Sequence, residues 1–116
     1  MARGLINLGS LYHDRSRDAG AEELYRRAAD IFARSLGDNR VETLLTRSEL
    51  ADVLRAEHRY VEAETLSRAT LAPLQQMLRP GDPRLARVLF HRAQLLRETQ
   101  RKGEAEVILE RLQSFR

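Results

Sequence analysis

Apolar residues in the first third of the chain fall into two stripes of helical spacing. Leu5, Leu8, Leu11 and Tyr12 form one, and Ala21, Leu24, Tyr25, Ala28, Ile31 and Phe32 form the other. Steps of three and four residues put such side chains on one face of an α-helix. The polar run His13-Asp14-Arg15-Ser16-Arg17-Asp18 lies between them and suits a turn. The arrangement returns twice. Leu44, Leu50, Ala51 and Leu54 make a third stripe, and Ala63, Leu66, Ala69 and Thr70 open a fourth. Leu85, Val88, Leu89, Leu95 and Leu96, then Ala105, Ile108, Leu109, Leu112 and Phe115, supply the last two. The pattern predicts an all-α chain with helices at 2–15, 18–36, 40–56, 60–78, 83–99 and 102–115.

The stripes are in register with one another. Ala21-Glu22, Ala63-Glu64 and Ala105-Glu106 recur at an interval of 42 residues. Leu24, Leu66 and Ile108 keep the same step, as do Leu11-Tyr12, Val53-Leu54 and Leu95-Leu96, and the small residues Gly9, Ala51 and Ala93. Several independent columns at one period identify a tandem repeat, each unit a helix–turn–helix pair. The units are placed at about 1–38, 39–80 and 81–116. Gly37 can take the positive φ that ends a helix, and Asp82 followed by Pro83 is an N-cap with proline at the first helical position. Pro73 falls inside the fourth stripe, removes a backbone donor and crowds the carbonyl of Ala69, so a kink or an early helix end is expected there.

The columns Leu5-x-x-Leu8-Gly9-x-x-Tyr12, Ala21, Tyr25 and Ala28 are similar to the tetratricopeptide repeat pattern. The long period, the stretch Ala21-Glu22-Glu23-Leu24-Tyr25-Arg26-Arg27-Ala28 and the stretch Leu78-Arg79-Pro80-Gly81-Asp82-Pro83 resemble the kinesin light chain type of that repeat. The resemblance implies a right-handed α-α superhelix, a solenoid of three hairpins in one domain, either whole or a piece of a longer array, from a bacterial source. It also implies close helix approach at the small residues, with bulky residues beside them. Some columns depart from the pattern. Arg47 and Arg92 stand where the first unit has Leu5 and Leu8, Ser67 stands where it has Tyr25, and Asn7 alone survives of an asparagine pair.

Composition narrows the chemistry. The 116 residues carry 20 Lys plus Arg against 17 Asp plus Glu, and of the basic residues only Lys102 is lysine. A formal net charge of +3, with both signs interspersed, is no more than solubility favours, and nucleic-acid binding needs a continuous basic patch that the sequence lacks. Cysteine is absent, which excludes disulfides, thiolate metal sites and thiol nucleophiles. No apolar run is long enough to span a membrane and no secretory signal is legible, so cytoplasmic location is the default expectation. His13, His58 and His91 lie in different units without ligand spacing, so no metal and no cofactor are expected. The carboxylates, including Glu22-Glu23 and Glu62-Glu64, read as decoration of exposed helix faces, and no nucleophile–base–orienter set exists. A non-enzymatic role follows.

In solenoids of this kind the first helix of each unit lines a concave face. Helical spacing directs Leu8, Leu11 and Tyr12 inward and leaves Arg3, Ile6, Asn7, Ser10 and His13 for that face. The second unit offers Leu45, Ser48, Glu49, Asp52 and Arg55, and the third Arg87, Phe90, His91, Gln94 and Arg97. The candidate ligand contacts are Arg3, Asn7, Ser10, His13, Glu49, Asp52, Arg55, Arg87, Phe90, His91, Gln94 and Arg97. The expected function is a scaffold that holds a peptide or partner domain, an extended or helical segment with acidic character at one end. The alternative is a regulatory or sensor segment of a larger protease, kinase or NTPase. Ile108, Leu112 and Phe115 leave an apolar surface on the last helix, from which self-association is expected.

Overall fold

Six helices form where the apolar stripes place them. In the computed structural model, residues 2–14, 18–99 and 102–113 are described, with the side chains of 12–14, 18 and 102–106 outside that description. The helices are α1 (Ala2–Asp14), α2 (Asp18–Leu36), α3 (Val41–Ala56), α4 (Tyr60–Met77), α5 (Pro83–Glu98) and α6 (Lys102–Gln113). Among the described residues there is no strand. Helices pair as α1/α2, α3/α4 and α5/α6; α3 then packs on α2, and α5 against both α3 and α4.

The small-residue columns are where the helices of a hairpin approach. Ala21, Ala63 and Ala93 are buried, and a Cβ added to Gly9 would sit 3.3 Å from the Tyr25 ring. That ring is fixed at its far end, where its hydroxyl and the Ser10 hydroxyl lie 2.8 Å apart in a hydrogen bond. Two apolar clusters fill the array. One joins Ala21, Tyr25, Leu50, Val53, Leu54, Ala63 and Leu95 across all three units. The other joins Leu44, Leu74, Leu78, Leu85, Val88 and Leu89 at the opposite helix ends. Each fully buried leucine contributes about 1.5–3 kcal/mol of hydrophobic stabilisation.

Helix ends follow the sequence signals. The Asp82 carboxylate accepts the Arg84 backbone N–H at 2.8 Å, with Pro83 opening α5. Gly37 has φ of 102°, and its carbonyl accepts a bond from the Thr43 hydroxyl at 2.8 Å. The α3–α4 turn uses a less usual residue. His58 adopts φ of 61°, with its N–H donating to the Arg55 carbonyl and the Arg59 N–H to the Leu54 carbonyl. This is a Schellman closure in which histidine holds the left-handed position that glycine usually takes.

Four expectations need correction. Pro73 does not end α4, which continues to Met77; buried Leu74 and Leu78 hold its last turn in the second cluster. Leu8 and Leu11 are not inward-facing but exposed, because the first unit covers the equivalent Leu50 and Val53 and nothing among the described residues covers α1 in the same way. Ile108 and Leu112 are partly buried, packed on the second cluster, so they are less open than their spacing suggests; Phe115 lies outside the described residues. Glu22, Glu62 and Glu64 are not surface decoration. Arg26 donates to Glu22 at 2.9 Å and to Glu62, while Arg59 reaches the same two carboxylates at 2.7 and 2.6 Å. These four residues clamp α2 to the start of α4, and the arginines hold both carboxyls below the usual range against the opposing effect of burial.

The departures from the repeat pattern compensate one another. Ser67 replaces a tyrosine and Arg92 replaces a leucine at the same α4–α5 joint. The small serine leaves room for the guanidinium, which donates to Glu64 at 2.6 and 2.9 Å and approaches the Ser67 hydroxyl at 3.4 Å. Glu64 is held ionised chiefly by this bond to Arg92. Arg47, the other arginine in a leucine column, pairs with Asp38 at 2.7 Å.

Candidate functional site

The faces of α1, α3 and α5 that are left after packing form one groove. Two cavities make it up. The first, about 260 Å³, lies between α1, the end of α2 and the start of α3, and is lined by Arg3, Ile6, Asn7, Phe32, Glu42, Leu45 and Thr46. The second, about 230 Å³, spans α1, α3 and α5 through Ile6, Leu45, Thr46, Glu49, Arg84, Arg87 and Val88. Ile6, Leu45 and Thr46 line both, so the cavities adjoin along these residues. The floor is apolar, and charge stands at the edges.

That charge is largely paired within the chain. The Arg87 guanidinium donates to both oxygens of Glu49, with Nη2 to Oε2 at 3.2 Å, and the Glu49 bond raises its pKa. Arg84 is held by Asp82 through Nη2 at 2.9 Å. A groove with compensated charge and an apolar floor selects ligands by shape and apolar contact first. A ligand carboxylate can then compete with Glu49 for Arg87, which is the more exposed of the two.

The predicted contact residues do not fall in one place. Arg3, Asn7, Glu49 and Arg87 line the groove. Asp52, Arg55 and His91 form a joint between the second and third units. Asp52 is buried and accepts from Arg55 at 2.9 Å, and Arg55 reaches on to Glu98 at 2.7 Å. The His91 Nε2 lies 3.8 Å from Asp52, while its Nδ1 is buried without a hydrogen-bond partner. Burial is the main cause that lowers the His91 pKa, opposed by Asp52 and Glu49, so the ring is neutral at neutral pH. Ser10 belongs to the α1/α2 hairpin through Tyr25. Phe90 is exposed farther along α5, beside Leu112 and Pro80 in a separate cavity of about 450 Å³ that Arg87 and His91 also line. Gln94 is partly exposed and Arg97 exposed at the far end of α5, and the side chain of His13 lies outside the described residues.

The candidate list lacks Glu42, Thr46, Arg84 and Val88. Thr46, Arg84 and Val88 each lie three positions from a predicted contact, and Glu42 lies two turns before Glu49, so extending the same faces along α3 and α5 finds them. Among the described residues no three His, Asp or Glu side chains could jointly hold a metal ion, and no helix is long and apolar enough to cross a membrane.

The comparisons with known proteins agree with this geometry. TPR-like repeats from a Podosopora anserina protein assigned as a kinesin light chain superpose with a TM-score of 0.87 at 23% identity, over 97% of this chain and 54% of that one. BtubC (BKLC) from P. vanneervenii gives a TM-score of 0.83 at 22% identity, over 99% of this chain and 45% of the other. The chain thus spans about half the length of these structures. No curated protein matches it. The tetratricopeptide repeat family model matches residues 1–72. Repeats of this family are protein–protein interaction modules. With its 42-residue period, paired helices and superhelical fold, the chain belongs to the tetratricopeptide repeat family.

Proposed function

We propose that the chain holds a peptide segment of a partner protein in the groove across α1, α3 and α5. The observation that carries this reading is that the two cavities adjoin at Ile6, Leu45 and Thr46. A single isolated pit would take one side chain. A groove crossing three helices takes an extended or helical segment with more than one apolar anchor. Arg3 and Arg87 stand at its edges and suit acidic positions in the ligand. The rigid stack of hairpins presents this surface without folding on binding, which keeps the ordering cost on the peptide alone.

Selection from a random peptide library on the immobilised chain tests the reading. Selected peptides should carry spaced apolar residues and lose at least tenfold in affinity for Leu45→Glu. Affinity for Val61→Glu, on the outer face of α4, should stay unchanged. Peptides that bind the two variants equally well would remove the groove from the account.

A further inference from the structure

We infer that the groove binds an acidic peptide together with a proton: His91 becomes charged as the ligand's carboxylate displaces Glu49 from Arg87. This coupling rests on the peptide-binding reading above and specifies what regulates that site. Its basis is a strip of charge where α3 faces α5. Glu49 and Asp52 lie one turn apart on α3, and Arg87 and His91 one turn apart on α5. The two rungs so formed differ. Arg87 donates to both oxygens of Glu49 and is 60% exposed, so a ligand can reach it. His91 is 12% exposed and lacks such a bond. Its Nδ1 is buried without a hydrogen-bond partner, and its Nε2 stands 3.8 Å from Asp52, beyond hydrogen-bond reach. The charges around a ring placed in this way decide whether it holds a second proton.

Asp52, Glu49 and Arg55 face His91 from α3, and Arg87 faces it from its own helix. The other neighbouring elements bring uncharged residues: Ser67 of α4, Pro80 and Gly81 of the α4–α5 turn, and Leu112 of α6. Burial and the two arginines keep the ring neutral, and the two carboxylates pull the other way. In the free chain that pull is largely cancelled, because Arg55 is bonded to Asp52 and Arg87 to Glu49. A ligand carboxylate on Arg87 changes the sum. Arg87 keeps a partner, while Glu49 loses its own. The strip then holds three carboxylates, those of Asp52, Glu49 and the ligand, against Arg55 and Arg87. A proton taken from solvent by His91 restores the balance, and a movement of about 1 Å brings Nε2 into a charge-assisted bond with Asp52. The ligand thus strengthens proton binding at His91, and by reciprocity the proton strengthens ligand binding.

A library-selected peptide that carries Asp or Glu tests this. Its affinity for the chain should rise about fivefold from about pH 7.5 to about pH 5.5, a range in which ordinary carboxylates stay ionised. Titration calorimetry in two buffers of different ionisation enthalpy should show proton uptake on binding. The imidazole NMR signal of His91 should titrate at higher pH in the complex than in the free chain, while that of His58, at the α3–α4 turn, keeps its midpoint. The same peptide with its carboxylates replaced by amides should bind without proton uptake. His91→Gln should flatten the pH profile, and Glu49→Gln, which removes the internal competitor, should bind the acidic peptide more tightly than the wild type at about pH 7.5. The His91 midpoint is read in the wild-type chain, so it stands even where a variant fails to fold. A peptide that loses affinity for Leu45→Glu but binds the wild type with no proton uptake, or with the His91 midpoint unmoved, would overturn the coupling and leave the groove standing. Selected peptides without acidic residues would overturn it as well. Equal binding to Leu45→Glu and the wild type would remove groove and coupling together.

Discussion

The α4–α5 joint gives an asymmetric prediction. Arg92 is buried and makes two bonds to Glu64, and the neighbouring Ser67 contact is long at 3.4 Å. Glu64→Gln leaves the guanidinium buried without its counter-charge. Removing one member of a fully buried pair costs about 3–5 kcal/mol, and a hydrogen bond to a charged group is worth about 1.5–3 kcal/mol. The Glu64 side chain is 22% exposed, so water can reach the remaining charge and the lower range applies. Arg92→Leu differs. Glu64 keeps Arg68 at 2.7 Å, and leucine is what the same column holds at Leu50. That change should cost less than about 1 kcal/mol, since apolar replacement of a buried ion is often near neutral. Urea unfolding followed by circular dichroism measures both. Glu64→Gln should lower stability by about 2 kcal/mol, a fall in Tm of about 8 °C for a domain of this size. In the double variant, Glu64→Gln should add almost nothing to Arg92→Leu, a coupling of about 2 kcal/mol. Equal single costs, or additive ones, would refute the view that Arg92 is held at this joint by Glu64.

Three other variants probe separate features. His58→Gly removes a left-handed histidine, whose conformation costs about 1 kcal/mol, so the melting temperature should rise by a few degrees. Pro73→Ala restores a backbone donor inside α4; it should stabilise the chain by about 2 kcal/mol in urea, the penalty for proline within a helix less the freedom regained by the unfolded chain. His91 has a lowered pKa in the folded chain, so the unfolded chain binds more protons below about pH 6.5. Its contribution is present above that pH and lost as pH falls toward the folded value; melting curves from pH 7.5 down to pH 5.5 should therefore flatten in His91→Gln relative to the wild type.

The fold was legible because period and stripe depend only on which residues are apolar. Six helices came from spacing, and Gly37 and the Asp82-Pro83 pair marked ends with local chemistry. What stayed hidden depended on neighbours two helices away. Leu8 reads as core by spacing, yet it is exposed because nothing among the described residues covers that side of α1. Asp52, Arg55 and His91 share a helix face with groove residues, but the closeness of α3 and α5 draws them into the joint. Ser67 and Arg92 each look like a defect in its own column and make sense only as a pair with Glu64. Pro73 passed for a breaker because local rules carry no information about the clustering of Leu74 and Leu78. The groove itself was half legible: its direction follows from helical spacing, while the meeting of its two cavities at Ile6 and Leu45 depends on how the hairpins stack.

The most direct test of peptide binding in the groove is a methyl NMR titration of the chain with a library-selected peptide. Resonances of Ile6, Leu45 and Val88 should shift together with one binding isotherm, while those of Val61 and Val107 on outer helix faces stay in place. Shifts centred on Val61, with Ile6 and Leu45 unmoved at saturation, would contradict the account.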